Sequence, residues 1–179
     1  SCYNDLFTIS KQNSNESIFA HQASVNDGDG NATNSNFLER LAAPHGGSVS
    51  GCCGFNNPTQ DLANAFQVDA SGLPVAAFQS TGWNATRATV GAGSTAVDPR
   101  IDWTMGRTGV PYLDWGTHSD GWIRGAGWAG LYSPKKNMKL ATDPAGPGCT
   151  TGQLHAKNVE FIRYAHVLLM LAECEVELN

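Results

Sequence analysis

Lys157-Asn158-Val159-Glu160-Phe161-Ile162-Arg163-Tyr164-Ala165-His166-Val167-Leu168-Leu169-Met170-Leu171-Ala172-Glu173-Cys174-Glu175-Val176-Glu177-Leu178-Asn179 is the stretch on which the reading of the fold turns. It holds no Pro and no Gly, and strong helix formers (Leu, Met, Ala, Glu) dominate it. Asn158 is read as the N-cap, with Phe161 and Ile162 opening the apolar run. A helix over most of these residues is about 30 Å long at about 1.5 Å per residue. Ile162, Ala165, Leu169 and Ala172 mark one face, and Val167, Leu168, Leu171 and Val176 carry apolar surface round the cylinder. Such a helix is expected to be covered by other helices. Arg163, His166 and Glu173 interrupt it, which argues against a membrane span.

The rest of the chain differs in character. Its 179 residues suffice for one domain with a core, and 41% hydrophobic content excludes general disorder. Charged residues make up only 15%, against roughly 25% in ordinary soluble proteins. Gly, Ser, Thr and Asn fill the gap, a mix that suits a loop-rich exported protein. Net charge is −5, with no basic cluster, so nucleic acid is excluded as a partner. Five cysteines (Cys2, Cys52, Cys53, Cys149, Cys174) cannot all pair within the chain, and no Cys-x-x-Cys suggests zinc or redox chemistry. No signal peptide or transmembrane segment is read. The chain starts abruptly and ends inside the predicted helix, so it is read as a fragment of a longer protein.

Ser17-Ile18-Phe19-Ala20-His21-Gln22-Ala23 reads as a short strand, followed by an Asn/Asp/Gly/Ser loop over 24–36. Asp27-Gly28-Asp29-Gly30-Asn31 has the opening of a calcium loop, but Ala32 and Leu38 occupy positions that need Gly and Glu. Asn57-Pro58-Thr59-Gln60-Asp61-Leu62-Ala63-Asn64-Ala65-Phe66 predicts a short helix near 57–67, with Asn57 as cap and Leu62, Ala65 and Phe66 on its apolar face. A turn follows at Ser71-Gly72-Leu73-Pro74. Ile101, Trp103 and Met105 alternate with Asp102 and Thr104, which predicts a strand with Trp103 in the core. Residues 106–134 set aromatics among glycines and predict a long functional loop.

Catalytic and cofactor motifs are sparse. Gly125-Ala126-Gly127-Trp128-Ala129-Gly130 formally matches a dinucleotide fingerprint, but Pro134 follows at once and no helix opens there. Walker lysine, HExxH and Gly-x-Ser-x-Gly patterns are absent. Asp102, Asp114 and Asp120 are the carboxylates that a glycosidase reading would use, with His118 beside Asp120 as a base. Neither a metal site nor a cofactor is expected. The sharper signal is aromatic. Trp83, Tyr112, Trp115, Trp122 and Trp128 lie in Gly- or Thr-rich loops, where a ring face is less easily buried. Indole and phenol faces pack on the C–H faces of sugars, while amides and carboxylates take the hydroxyls. Asn84, next to Trp83, and Asp114, between Tyr112 and Trp115, are the polar partners in this expectation. Trp83 ranks first, Trp122 and Trp128 next, and Tyr112 and Trp115 lower.

Arg163-Tyr164-Ala165-His166-Val167-Leu168-Leu169-Met170-Leu171-Ala172-Glu173 resembles the RYADVLLM-AE segment of the SusD/RagB family, with His166 where that segment carries Asp. Gly54-Phe55-Asn56-Asn57-Pro58-Thr59-Gln60-Asp61-Leu62 resembles the family's PTQDLV stretch, and Asp98-Pro99-Arg100-Ile101-Asp102 its DPRLD turn. Gly109-Val110-Pro111-Tyr112-Leu113-Asp114-Trp115-Gly116 and Lys135-Lys136-Asn137 follow in the family's order. The resemblance implies a mainly α, tetratricopeptide-like fold bearing a loop-rich region and a few short strands, of which this chain is an incomplete portion. Residues 1–156 would be the loop-rich region, and 157–179 a scaffold helix packing on helices outside the chain. It also implies a non-catalytic lipoprotein of the outer-membrane surface. Its partners would be an oligosaccharide and a SusC-like TonB-dependent transporter, with membrane contact only through a lipid anchor. A glycoside hydrolase fragment and a protein-binding scaffold without glycan affinity are the alternatives. The isolated piece is expected to be unstable, because its last helix exposes apolar surface.

Overall fold

A computed structural model describes residues 3–29, 33–36, 41–49, 53–75, 96–144 and 154–178. Its first surprise lies in the terminal stretch. Val159–Arg163 is a strand, β4, and the helix, α4, begins only at Tyr164 and runs to Leu178. Val159, Phe161 and Ile162 are β-branched or aromatic and suit an extended ladder. β4 pairs antiparallel with β1 (Ser17–His21), the strand expected from sequence, with Ser17 opposite Arg163 and His21 opposite Val159. Phe19 and Phe161 meet at 5.6 Å, and Ser17 Oγ donates to Glu160 Oε2 at 2.7 Å. Asn158 is therefore not a helix cap. Its side chain accepts from the Ala23 amide and donates to Asn13 and Gln22, tying the segment after β1 to the entry of β4.

The N-terminus of α4 is capped from outside. The Glu16 carbonyl accepts from Tyr164 N at 2.8 Å, and Glu16 Oε1 accepts from Ala165 N at 3.2 Å. Two orphan donors of the first turn are thereby satisfied. No residue of α4 is buried: Leu169, Met170, Leu171, Val176 and Leu178 are all more than half exposed.

The mainly α expectation is overturned. The other helices whose full spans are described are α1 (Gln60–Asn64), α2 (Ile101–Thr104) and α3 (Ala126–Ala129), each about one turn. Short 3-10 turns stand at Tyr3–Phe7, Ile9–Lys11 and Asp120–Trp122. Most of the described backbone is turn and loop, because Gly, Pro and Asn recur too often for longer elements. α1 falls inside the stretch predicted from sequence, but its cap is Thr59, whose Oγ1 accepts from Leu62 N at 3.1 Å. The predicted strand over 101–105 is mostly α2. Asp98 accepts from the Arg100 amide and the Arg100 guanidinium, and this turn launches a helical turn rather than a strand. Ile101 and Met105, four apart, are both fully buried. Trp103 points the other way and is 36% exposed, so it is not the core residue that alternation suggested.

Two apolar clusters hold the loops. Ala63, Ile101, Met105 and Tyr132 form one, with Phe66, Val97 and Leu131 against it. Ala43, Val49, Tyr112, Trp115, Trp122 and Met138 form the other. β2 (Met105–Gly106) and β3 (Ser133–Pro134) pair antiparallel and close the loop between them. Gly47 permits the second cluster: its φ is +76°, and a Cβ there would come within 2.0 Å of the Trp122 ring.

Three buried lysines staple the loops through backbone carbonyls. Lys135 Nζ donates to Pro111 O at 2.7 Å. Lys139 Nζ donates to Leu140 O and Asp143 O, and Lys157 Nζ to Lys136 O and Met138 O, all at 2.8–2.9 Å. Carbonyl dipoles partly replace the lost water. Burial still pushes the Lys135 ammonium down to about 8, with nearby Asp102 opposing the shift. Cys53 is disulfide-bonded, and Cys174 on α4 is a free, exposed thiol.

Candidate functional site

The structure sorts the loop aromatics by what covers them. Tyr112 is fully buried, its hydroxyl donating to the Pro134 carbonyl. Trp115 is 9% exposed and donates from Nε1 to Lys139 O at 2.9 Å. Trp122 is 7% exposed and meets Tyr112 edge-on at 5.4 Å. These three rings are enclosed by the chain and hold the loop; they present no free face. Asp114 is exposed but engaged, accepting from Ala141 N at 2.7 Å and from Thr142 N and Oγ1 at 3.3 Å. Trp83 and Asn84 lie outside the described residues.

Trp128 alone of the described candidate aromatics stands in solvent, at 72% exposure. It sits on α3, and its indole folds back over Gly125. A Cβ on Gly125 would come within 2.1 Å of Trp128 Nε1, and Gly125 also has φ +68°. The indole thus lies close beside the Gly125 backbone, with most of its surface open. A fixed ring loses less freedom on binding than a loose one. The neighbouring segment adds two groups that the sequence reading missed. Arg124 lies over the Phe55 ring at 5.2 Å and donates from Nη1 to Cys53 O at 3.1 Å. Phe55 is 45% exposed. Segment 53–58 runs along 124–130, since Asn57 Nδ2 donates to Ala129 O at 3.3 Å and a Cβ on Gly54 would touch Arg124 Cβ at 3.1 Å. Phe55, Arg124 and Trp128 therefore belong to two apposed strips: two open rings and a guanidinium. Gly54 beside Phe55, and Arg124 beside Gly125, were the only sequence hints.

The carboxylates of the glycosidase alternative are each engaged by groups of the fold. Asp102 receives Arg107 Nε and Nη2 at 2.7 and 2.8 Å. Asp114 serves the 141–142 turn, and Asp120 accepts from Thr108 Oγ1. His118 is buried and shares a hydrogen bond with Ser133 Oγ at 2.9 Å. In the acidic loop, Asp27 accepts from Ser24, Asn34 and the Asp29 amide, which hold its carboxyl down at about 2. Among the described residues no cluster of three or more His, Cys, Asp or Glu is placed to hold a metal, and no helix is long and apolar enough to cross a membrane.

Comparison with known proteins adds the lineage. No curated protein matches the chain. A model of the SusD family matches residues 15–179, which takes in β1, both apolar clusters, the Trp128 strip and α4. That family is a nutrient- and glycan-binding family of the outer membrane. Its members bind rather than catalyse and associate in general with SusC-like transporters. On a match of that extent, running through the loops as well as the terminal helix, the chain belongs to the SusD family.

Proposed function

We propose that this chain captures oligosaccharides at the cell surface, without catalysis, and hands them to a SusC-like TonB-dependent transporter as part of a lipid-anchored outer-membrane protein. The observation that carries the reading is the exposed indole of Trp128 close to Gly125, on the strip that also carries Arg124 over the Phe55 ring. A flat apolar face takes the C–H side of a sugar ring, and the guanidinium donates to hydroxyl or carboxylate oxygens. Trp83 and Asn84 belong to the same proposal as a second aromatic–amide pair. Tyr112, Trp115 and Trp122 act as framework behind the platform.

The test is a glycan panel measured against the parent and Trp128→Ala. Truncation is expected to weaken binding at least about tenfold, about 1.4 kcal/mol, because an aromatic anchor is removed. The melting temperature should stay nearly constant, since Trp128 supports no buried cluster. Unchanged affinity would move the site elsewhere. Release of reducing ends from any glycan, lost on Asp114→Asn, would restore the hydrolase alternative.

A further inference from the structure

A recess of about 200 Å³ opens where the first 3-10 turns meet β4 and the start of α4, and it shares no lining residue with the Trp128 strip. Its wall carries polar groups with bonding capacity left over. Lys136 Nζ lies 4.6 Å from the Phe7 ring centroid and 6.0 Å from that of Tyr3, and among the described residues it meets no hydrogen-bond acceptor and no carboxylate. Arg163 stands over the same Phe7 ring at 5.3 Å; its Nη1 lies 3.7 Å from Glu16 Oε1, at the long end of an ion pair, and its Nη2 3.4 Å from His166 Nε2. The Asn137 side-chain amide, next to Lys136 on an exposed turn, makes no hydrogen bond to a described residue. Glu160 Oε2 takes the Ser17 hydroxyl, which leaves its other oxygen for a donor.

The charge balance selects the ligand. Lys136, Lys157, Arg163 and His166 face the recess against Glu160, with Glu16 3.7 Å from Arg163, in a chain whose net charge is −5. Lys157 is already held by two carbonyls; Lys136 has no acceptor among the described residues, and Arg163 keeps guanidinium donors beyond its long contacts with Glu16 and His166, both cations standing beside one ring. Rings reduce the water around a cation without neutralising it, and a carboxylate completes such a pair with charge-assisted bonds. The volume is below the roughly 300–1,000 Å³ of pockets for drug-sized ligands, so it suits one small ring.

We propose that this recess binds a hexuronic acid unit of an acidic glycan, its carboxylate between Lys136 and Arg163 and its hydroxyls on Asn137 and Glu160. The choice of a sugar rests on the glycan-binding reading above; the choice of an acid rests on the recess alone.

Calorimetry with glucuronate, glucose and acetate tests it. Glucuronate should bind, with glucose and acetate at least about tenfold weaker, about 1.4 kcal/mol. Lys136→Met should lose at least about tenfold in glucuronate affinity through the missing charged donor, and Lys136→Arg should restore it. Lys11→Met, an exposed lysine outside the recess, should bind as the parent does. Thermal melts confirm that each variant is folded. Equal binding of acetate would overturn the sugar assignment. Absent glucuronate binding, or equal binding by Lys136→Met, would overturn the site. Neutral-glycan binding that depends on Trp128 but comes without glucuronate binding defeats this inference and leaves the platform standing. Glucuronate binding that depends on Lys136, with no neutral glycan bound, does the reverse.

Discussion

Replacing His166 by Asp should stabilise the protein, and the reason lies in one turn of geometry. His166 is the third residue of α4, and its Nδ1 lies 3.3 Å from the Arg163 amide, the position of a capping-box acceptor. Its Nε2 lies 3.4 Å from Arg163 Nη2. A neutral imidazole has one acceptor nitrogen and one N–H, so it can receive only one of these two donors. The other contact sets N–H against N–H. A carboxylate at 166 has acceptors for both, and it is the group the resembling family segment carries there. One cap bond contributes about 1 kcal/mol. An anion in the first turn adds about 0.3–1 kcal/mol, and a partly buried pair with Arg163 adds less still after solvent screening. His and Asp differ little in helix propensity, so the sum is about 1–2 kcal/mol. For a chain of this size that raises Tm by about 3–6 °C. Far-UV circular dichroism melts at pH 7 would measure it. His166→Asn, which keeps an acceptor without charge, should fall between the two. If His166→Asp melts at or below the parent, the imidazole is not a weak cap, and Glu16 alone secures the helix end.

His155 predicts acid sensitivity. It is fully buried, and burial together with the Lys157 and Lys139 charges pushes its pKa from 6.5 down to about 3. The unfolded chain binds this proton first, so stability is present above pH 6.5 and is lost as pH falls toward 3, by at most about 5 kcal/mol. Urea midpoints across that window should drop, and His155→Gln should flatten the decline. Gly47→Ala combines a left-handed backbone with a Cβ inside the Trp122 ring, and should cost about 3 kcal/mol or more. Its tryptophan fluorescence should shift to the red as the second cluster loosens; an unchanged spectrum and melt would contradict the packing described for Trp122.

Local chemistry was legible from the residues themselves. Ser17–His21 carries the Ile-Phe pair that suits a strand, and Pro58 to Asp61 opens a short helix. The Leu- and Glu-rich run from Tyr164 is a helix because propensity and absence of Gly and Pro act within the segment. The family segments are legible for the same reason, as short strings whose order survives without a fold. Pairing partners at long separation decided the rest. Val159 to Arg163 could continue the helix by propensity, but β1 lies alongside, and its ladder bonds and the Glu16 cap set the boundary at Tyr164. Tyr112, Trp115 and Trp122 look like Trp128 in sequence, each an aromatic among glycines. What separates them is whether another part of the chain covers the ring: Gly47 lets the backbone reach Trp122, and Lys139 offers a carbonyl to Trp115. The recess beside Phe7 has no sequence signal, because Lys136 and Arg163 are 27 positions apart and meet only across one aromatic ring. Sequence determines what each side chain is able to do, and tertiary contact decides which of them remain free to do it.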